Sequence, residues 1–238
     1  MDTKEIRANS VDYWNGNARW YELWIEHNNY HEGIIAILKS IAKPGWKVLD
    51  IGGGGGVLAI PLMISGCEVV VVEPSQGMRG LLARAMTAMD TASTITVDAR
   101  AWEEIPPLDL AKHDLIVASN SLHLVAQGFQ QAIRRLFNAR ATRIFIVTEK
   151  PVHRLDSYAE ATGYRLILSQ TERKESSYVY HSREEALEHW AFKHGRYPDT
   201  AEEGEILSGL SEEGGHLRMK GRATIHTYCW RKVEDGSW

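Results

Sequence analysis

Cysteine is scarce in this chain. Cys67 and Cys229 are the only two among 238 residues, which suggests neither a disulfide framework nor a cysteine metal cluster. Positive charge is not in excess either. Lys and Arg number 27 against 31 Asp and Glu, a formal net charge of −4, so no global field draws in nucleic acid. No apolar run reaches membrane-spanning length. The start, Met1-Asp2-Thr3-Lys4-Glu5, lacks the apolar stretch of a secretory leader. Nothing repeats internally and nothing is low-complexity. A soluble, cytoplasmic protein without a nucleic-acid or membrane partner is the expectation. The apolar share is 44%, ordinary for a full globular core, and the length suits one α/β domain with additions.

The stretch from Lys47 to Glu73 organises the rest. Lys47-Val48-Leu49-Asp50-Ile51 reads as an apolar strand, and five glycines follow from Gly52 to Gly56. A short apolar helix pattern then leads to a second strand, Glu68-Val69-Val70-Val71-Val72, which ends on Glu73-Pro74-Ser75. Glycines let backbone approach a ligand and take positive φ. A helix N-terminus offers unpaired N–H groups. A carboxylate ending the second strand can accept both hydroxyls of a ribose. The unit predicts a nucleoside-containing cofactor at the carboxyl edge of a parallel sheet. Gly54-x-Gly56-x-x-Ala59 with Glu73 satisfies the dinucleotide fingerprint. Asp50 opposes that reading, because an anion sits badly beside a pyrophosphate and well beside a cationic aminoacyl group.

Asp50-x-Gly52-x-Gly54-x-Gly56, followed by Glu73-Pro74-Ser75, resembles motif I and the next strand end of the class I S-adenosylmethionine (SAM) methyltransferases. The resemblance covers about residues 47–147. It implies a Rossmann-like, doubly wound, mostly parallel sheet, with SAM as cofactor and S-adenosylhomocysteine (SAH) as product. It places Asp50 near the methionine moiety, Gly52, Gly53, Gly54 and Gly56 along the cofactor, and Glu73 on the ribose with Pro74 and Met78 nearby. After the third strand, Thr94-Ile95-Thr96-Val97, the family often keeps an acid followed by a small residue. Here those positions are Ala101 and Trp102, so in place of a carboxylate contact the two are carried as cofactor contacts through backbone groups near Trp102, whose ring either walls the adenine or simply fills the core. The fourth strand ends in Ser119-Asn120-Ser121-Leu122-His123, beside the expected sulfonium. It lacks the two prolines of DNA amino-methylating enzymes, and no cysteine stands where pyrimidine methyltransferases keep a nucleophile. Both absences turn the reading toward a small-molecule acceptor. His123 is the one candidate base, although such a histidine commonly just starts the next helix. No other catalytic residue is assigned, and no metal. His27 and His31 stand four apart without a third ligand.

Before the first strand, apolar residues at helical spacing from about Ser10 to Ile41 predict two helices parted near His27-Asn28-Asn29. Tyr13 and Trp14 begin the first. This helix either packs plainly on the sheet or closes over the cofactor as a lid, and Tyr13 and Trp14 are carried as cofactor contacts. Strand five is Arg143–Thr148. Beyond Pro151 a helix over 155–163 is predicted, and Ser182-x-x-Glu185 and Thr200-x-x-Glu203 read as capping boxes. Arg222 to Lys232 alternates like a closing strand. The expected division is a lid over 1–44, a cofactor core over 45–165, an insertion and candidate substrate cap over 166–221, and a closing strand over 222–232. Tyr178, Tyr180, His181, His189, Trp190, His194 and Tyr197 in the insertion either line a substrate pocket or fill a small core of their own. The function expected is in-line methyl transfer to a small molecule. A non-catalytic SAM-binding sensor and an NAD(P)-dependent oxidoreductase are the alternatives. Acceptor atom and oligomeric state are not legible.

Overall fold

The computed structural model describes residues 10–89, 91–124, 128–151 and 155–233. Residues 1–9 of the expected lid and the terminal 234–238 lie outside them. Two helices come first, α1 (Val11–Glu26) and α2 (Glu32–Ile41). Then strands and helices alternate: β1 (Lys47–Ile51), α3 (Ala59–Ile64), β2 (Glu68–Val72), α4 (Gln76–Thr87), β3 (Thr96–Asp98), α5 (Pro107–Leu110), β4 (Leu115–Ser119), α6 (Phe129–Asn138) and β5 (Arg143–Thr148). The remainder holds α7 (Leu155–Ala161), β6 (Tyr164–Glu175), β7 (Tyr178–Tyr180), α8 (Arg183–His194), α9 (Thr200–Ser208), β8 (Leu210–Glu213), β9 (His216–Met219) and β10 (Arg222–Lys232).

Seven strands form one twisted sheet in the order β3-β2-β1-β4-β5-β10-β6. The first five are parallel, and β10 runs antiparallel between β5 and β6. Chain order reverses between β1 and β4, which opens a crevice at their carboxyl ends.

Side chains alternate across each strand. Leu49, Ile51, Ile116, Ala118, Ile144 and Ile146 face one core, with α6 and Trp230. Val48, Leu115, Val117, Phe145 and Val147 face the other, with α2, α3 and Trp24 of α1. Asp50 has the parity of Val48, so this alternation aims its carboxylate at the face that α1 covers.

The parallel core and closing strand match the expected fold. Strand three is shorter and sits two residues later than Thr94–Val97. The second capping box starts one residue early: Asp199 accepts from the N–H groups of Ala201 and Glu202, and Glu202 accepts from Asp199 N–H at 2.9 Å. The boundary of the insertion at 166 needs correcting. Residues 164–175 are β6, paired along β10 from Arg222↔Glu175 to Lys232↔Tyr164. An edge strand with one face in solvent carries charges such as Arg173-Lys174-Glu175, which conceals its alternation. The inserted segment is therefore 176–221. Its ends meet where Ser176 N–H donates to Gly221 C=O at 2.9 Å. It folds into the sheet β7-β9-β8 with α8 and α9.

Candidate functional site

The glycine run turns the chain at the crevice. Gly52 adopts φ +64, and a Cβ there would stand 2.5 Å from Ser121 Cβ, so the ends of β1 and β4 approach only through glycine. Gly54 adopts φ +55, with Met78 Cε 2.9 Å from where its Cβ would be. The helix expected to follow directly does not begin until Ala59 and has six residues.

Around this turn lies a cavity of about 320 Å³. Its floor is Asp50, Ile51 and Gly52–Gly54 from β1 and the turn; Val72, Glu73, Pro74 and Ser75 from the end of β2; and Ser119, Asn120 and Ser121 from the end of β4. Ala101, Trp102 and Glu103 close one end, and Ser10, Val11, Trp14, Tyr21 and Trp24 cover it from α1.

Asp50 is 1% exposed, and its Oδ2 has no hydrogen-bond partner. Burial, with the nearby Glu73 carboxylate adding, pushes its acid up to about 7. Glu73 is held differently. Its Oε2 accepts from Gly54 N–H at 3.1 Å and its Oε1 from Ser75 N–H at 2.8 Å. Burial raises its pKa, while these two bonds and the Arg79 guanidinium pull it back. Arg79 also donates to the carbonyls of Glu73 and Pro74 at 2.8 and 2.7 Å, fixing the turn.

At the end of β4, Asn120 takes φ 50, which asparagine tolerates better than most residues. Its amide donates to Tyr30 Oη at 2.9 Å and accepts from Glu149 N–H at 3.0 Å. Tyr30 in turn donates to Glu149 Oε1 at 2.9 Å. At the opposite end, Trp102 is both core and cavity wall, 5% exposed with Arg135 over its ring. The backbone N–H of Ala101 is taken by Glu104 Oε2 at 2.9 Å. The carboxylate missing at position 101 reappears as Glu103 on the following turn, which lines the cavity.

Helix α1 is fixed on both sides. Toward the site, Asn15 Oδ1 accepts from Ser75 Oγ at 2.9 Å and Gly77 N–H at 3.1 Å. Ser75 also caps α4 through Met78 N–H. Tyr21 covers Gly54 and Gly55, and burial beside Asp50 and Glu73 raises its phenol pKa. Away from the site, Trp20 stacks on His189 at 4.7 Å, Tyr13 packs on Phe192 at 5.1 Å, and Arg19 pairs with Glu185 and Glu188. His189 receives Tyr180 at 2.7 Å, and burial holds its imidazole down at about 3.

The structure thus gathers Asp50, Gly52, Gly53, Gly54, Glu73, Pro74, Met78, Ala101, Trp102, Ser119, Asn120 and Trp14 around one cavity. It does not bring in Tyr13, which faces Phe192, or Gly56, which packs against Leu82 and Ile60. His123 lies on the turn Leu122–Leu124, of which only Leu124 lines the cavity. The insertion aromatics do not line it either. Tyr178, Tyr180, Trp190 and Phe192 build a core with Trp20 and Leu23 behind α1, because burial against the helix satisfies them there. His27 and His31 share no helix face: one caps the end of α1 and the other the start of α2. His31 lines the cavity, and burial pushes it down to about 4. Tyr21, Trp24 and His31 were missed as site residues, although Trp14, Tyr21 and Trp24 share one helical stripe.

A family model described as a methyltransferase domain matches residues 48–141. A curated relative, the ribosomal RNA small subunit methyltransferase A of Thermosynechococcus vestitus (strain NIES-2133 / IAM M-273 / BP-1), is 46% identical over 55 residues. That match spans 22% of this chain and 21% of the relative, so the chain covers about a fifth of its length. Magnesium protoporphyrin IX methyltransferase (ChlM) from Synechocystis PCC 6803 with bound SAM superposes with a TM-score of 0.56 at 14% identity, covering 96% of this chain and 97% of that one. The same protein with bound SAH gives 0.58. A TehB-like SAM-dependent methyltransferase from Corynebacterium glutamicum ATCC 13032 Kitasato gives 0.51 at 15% identity, covering 93% and 98%. At such identities these structures establish the fold.

Proposed function

We propose that the chain, whose residues 48–141 match a methyltransferase domain, is a class I SAM-dependent methyltransferase that transfers a methyl group from SAM to a small-molecule acceptor. The observation that carries this reading is the buried carboxylate of Asp50 beside the glycine turn, its Oδ2 without a hydrogen-bond partner, with Glu73 ending the neighbouring strand. Asp50 would hold the aminoacyl ammonium, Glu73 the ribose hydroxyls, and Trp102 with Glu103 the adenine end. SAM supplies an electrophilic methyl on a sulfonium. The chain's own contribution is to align, exclude water and hold charge. Alignment alone can lower a barrier by roughly 7–11 kcal/mol, so a dedicated base is not needed. No lysine or arginine stands among the described lining residues, which favours a small acceptor over the RNA named for the curated relative.

Calorimetric titration with SAM, SAH and NADH separates the cofactor classes. Saturable binding of SAH and none of NADH is expected; the reverse result returns the fold to the oxidoreductases. A methyl-transfer screen against a metabolite extract then separates enzyme from sensor, since a sensor binds SAH and labels nothing.

Helix α1 is proposed as the cover. Its second half is already anchored, with Trp20, Leu23 and Trp24 buried. Its first half is held to the site mainly through Asn15. Hydrogen exchange over residues 10–17 should therefore slow when SAH binds, with little change over 18–24 or in the central strands. Equal exchange in both states over 10–17 would make α1 a fixed wall.

A further inference from the structure

The cavity carries charge of one sign. Asp50, Glu73 and Glu103 line it, with no lysine or arginine among the described lining residues. His31 adds no cation, since burial keeps its imidazole neutral near pH 7. SAM brings a sulfonium and an ammonium against one carboxylate. Three protein carboxylates outnumber that single net charge, and the loaded site stays negative. The wall offered by α1 is aromatic: Tyr21 stands 6.5 Å from Trp14 and 5.9 Å from Trp24, ring centre to ring centre. Aromatic faces attract cations, and more strongly where water is excluded. The volume, about 320 Å³, is at the low end for ligand sites.

We propose, resting on the methyltransferase reading above, that the acceptor is a small amine, and that the site rejects anionic acceptors such as carboxylates, phenolates and phosphate-bearing chains. Transfer to an amine conserves the charge this site is built to hold. The nitrogen lone pair forms the new N–C bond as the S–C bond breaks. The bonding pair leaves with sulfur as a thioether, and the positive charge passes to nitrogen. The free base is the reacting form, so an ammonium first gives its proton to bulk water; a tertiary amine then ends as a quaternary ammonium, and a secondary amine sheds one further proton after transfer. An anionic acceptor would be stripped of water beside three like charges, with no lysine or arginine among the described lining residues to meet it, which is unfavourable.

The test uses the full chain saturated with SAH. Tetramethylammonium stands in for a methylated amine, tert-butanol for its neutral isostere, and acetate for an anion. Wild type should bind tetramethylammonium roughly tenfold more tightly than tert-butanol, and acetate not saturably. Trp14→Leu, checked for an unchanged melting curve, should bring the preference for the cation to within about twofold. Labelled SAM offered to mixed amines, phenols and carboxylic acids should label the amines. Equal binding of cation and isostere overturns the proposal, as does label in the oxygen acceptors alone. Failure of SAH itself to bind, scored first, overturns the parent reading and not this one.

Discussion

Glu73→Ala should weaken SAH binding by more than tenfold while leaving the sheet folded. A hydrogen bond to a charged group is worth about 1.5–3 kcal/mol when its partner is lost, and a carboxylate on a ribose makes two. The structure adds a second loss. Glu73 is what holds the N–H groups of Gly54 and Ser75, so alanine also frees the glycine turn and the start of α4. Glu73→Gln separates the two contributions. Its amide oxygen can keep one backbone N–H, but its NH₂ meets the other donor head on. The expected order of affinity is wild type, then Gln, then Ala, read by calorimetry with circular dichroism as the control for folding. Alanine binding within twofold of wild type would remove Glu73 from the ribose.

The parallel core was readable because its strands are nearly continuous β-branched runs between glycine turns. Buried parallel strands need that composition on both faces, so Val69 to Val72 left little choice. β6 was not readable for the opposite reason. Beyond Tyr164 its inner face is only half-buried, and the charges along its outer face, from Arg165 to Glu175, resemble a loop. The extent of the insertion was misjudged for the same cause. Its aromatics were visible, but sequence cannot say which side of α1 they pack against. They pack behind it.

Within the site, motif residues were legible because glycine and acid have few other reasons to occur at that spacing. The contribution of α1 was legible as a stripe at Trp14, Tyr21 and Trp24, although only Trp14 was assigned. Asn15 was not legible at all. Its contact with Ser75 joins residues 60 positions apart, and nothing local to either announces it. Glu103 was hidden by being displaced along a turn: the acid at 101 is absent, and a turn of 3-10 helix, Trp102–Glu104, brings the acid at 103 to the cavity.

Asp50→Asn should make the ligand-free protein more stable and a poorer binder at once. Asp50 is buried without a partner for one oxygen, and its pKa rises from 3.8 to about 7 on folding. Such an acid holds its proton more tightly folded than unfolded. Stability therefore falls as pH climbs from about 4 toward about 7, and the full loss stands above that. Below pH 4 both forms are protonated and the loss vanishes. Asparagine matches the protonated acid in shape and never ionises, so it escapes the loss. At pH 8 the variant should melt several degrees above wild type, at roughly 2–4 °C per kcal/mol for a chain of this length. At pH 4 the two should melt nearly together. Binding should move the other way. An ammonium set against a carboxylate loses its charged partner, and SAH affinity at pH 8 should drop by about tenfold or more. An acid kept at a cost to the empty fold and repaid by a cation is how a binding site departs from the best local choice of residue. Identical melting curves at pH 8, or unchanged SAH affinity, would reduce Asp50 to a residue that merely orders the glycine turn.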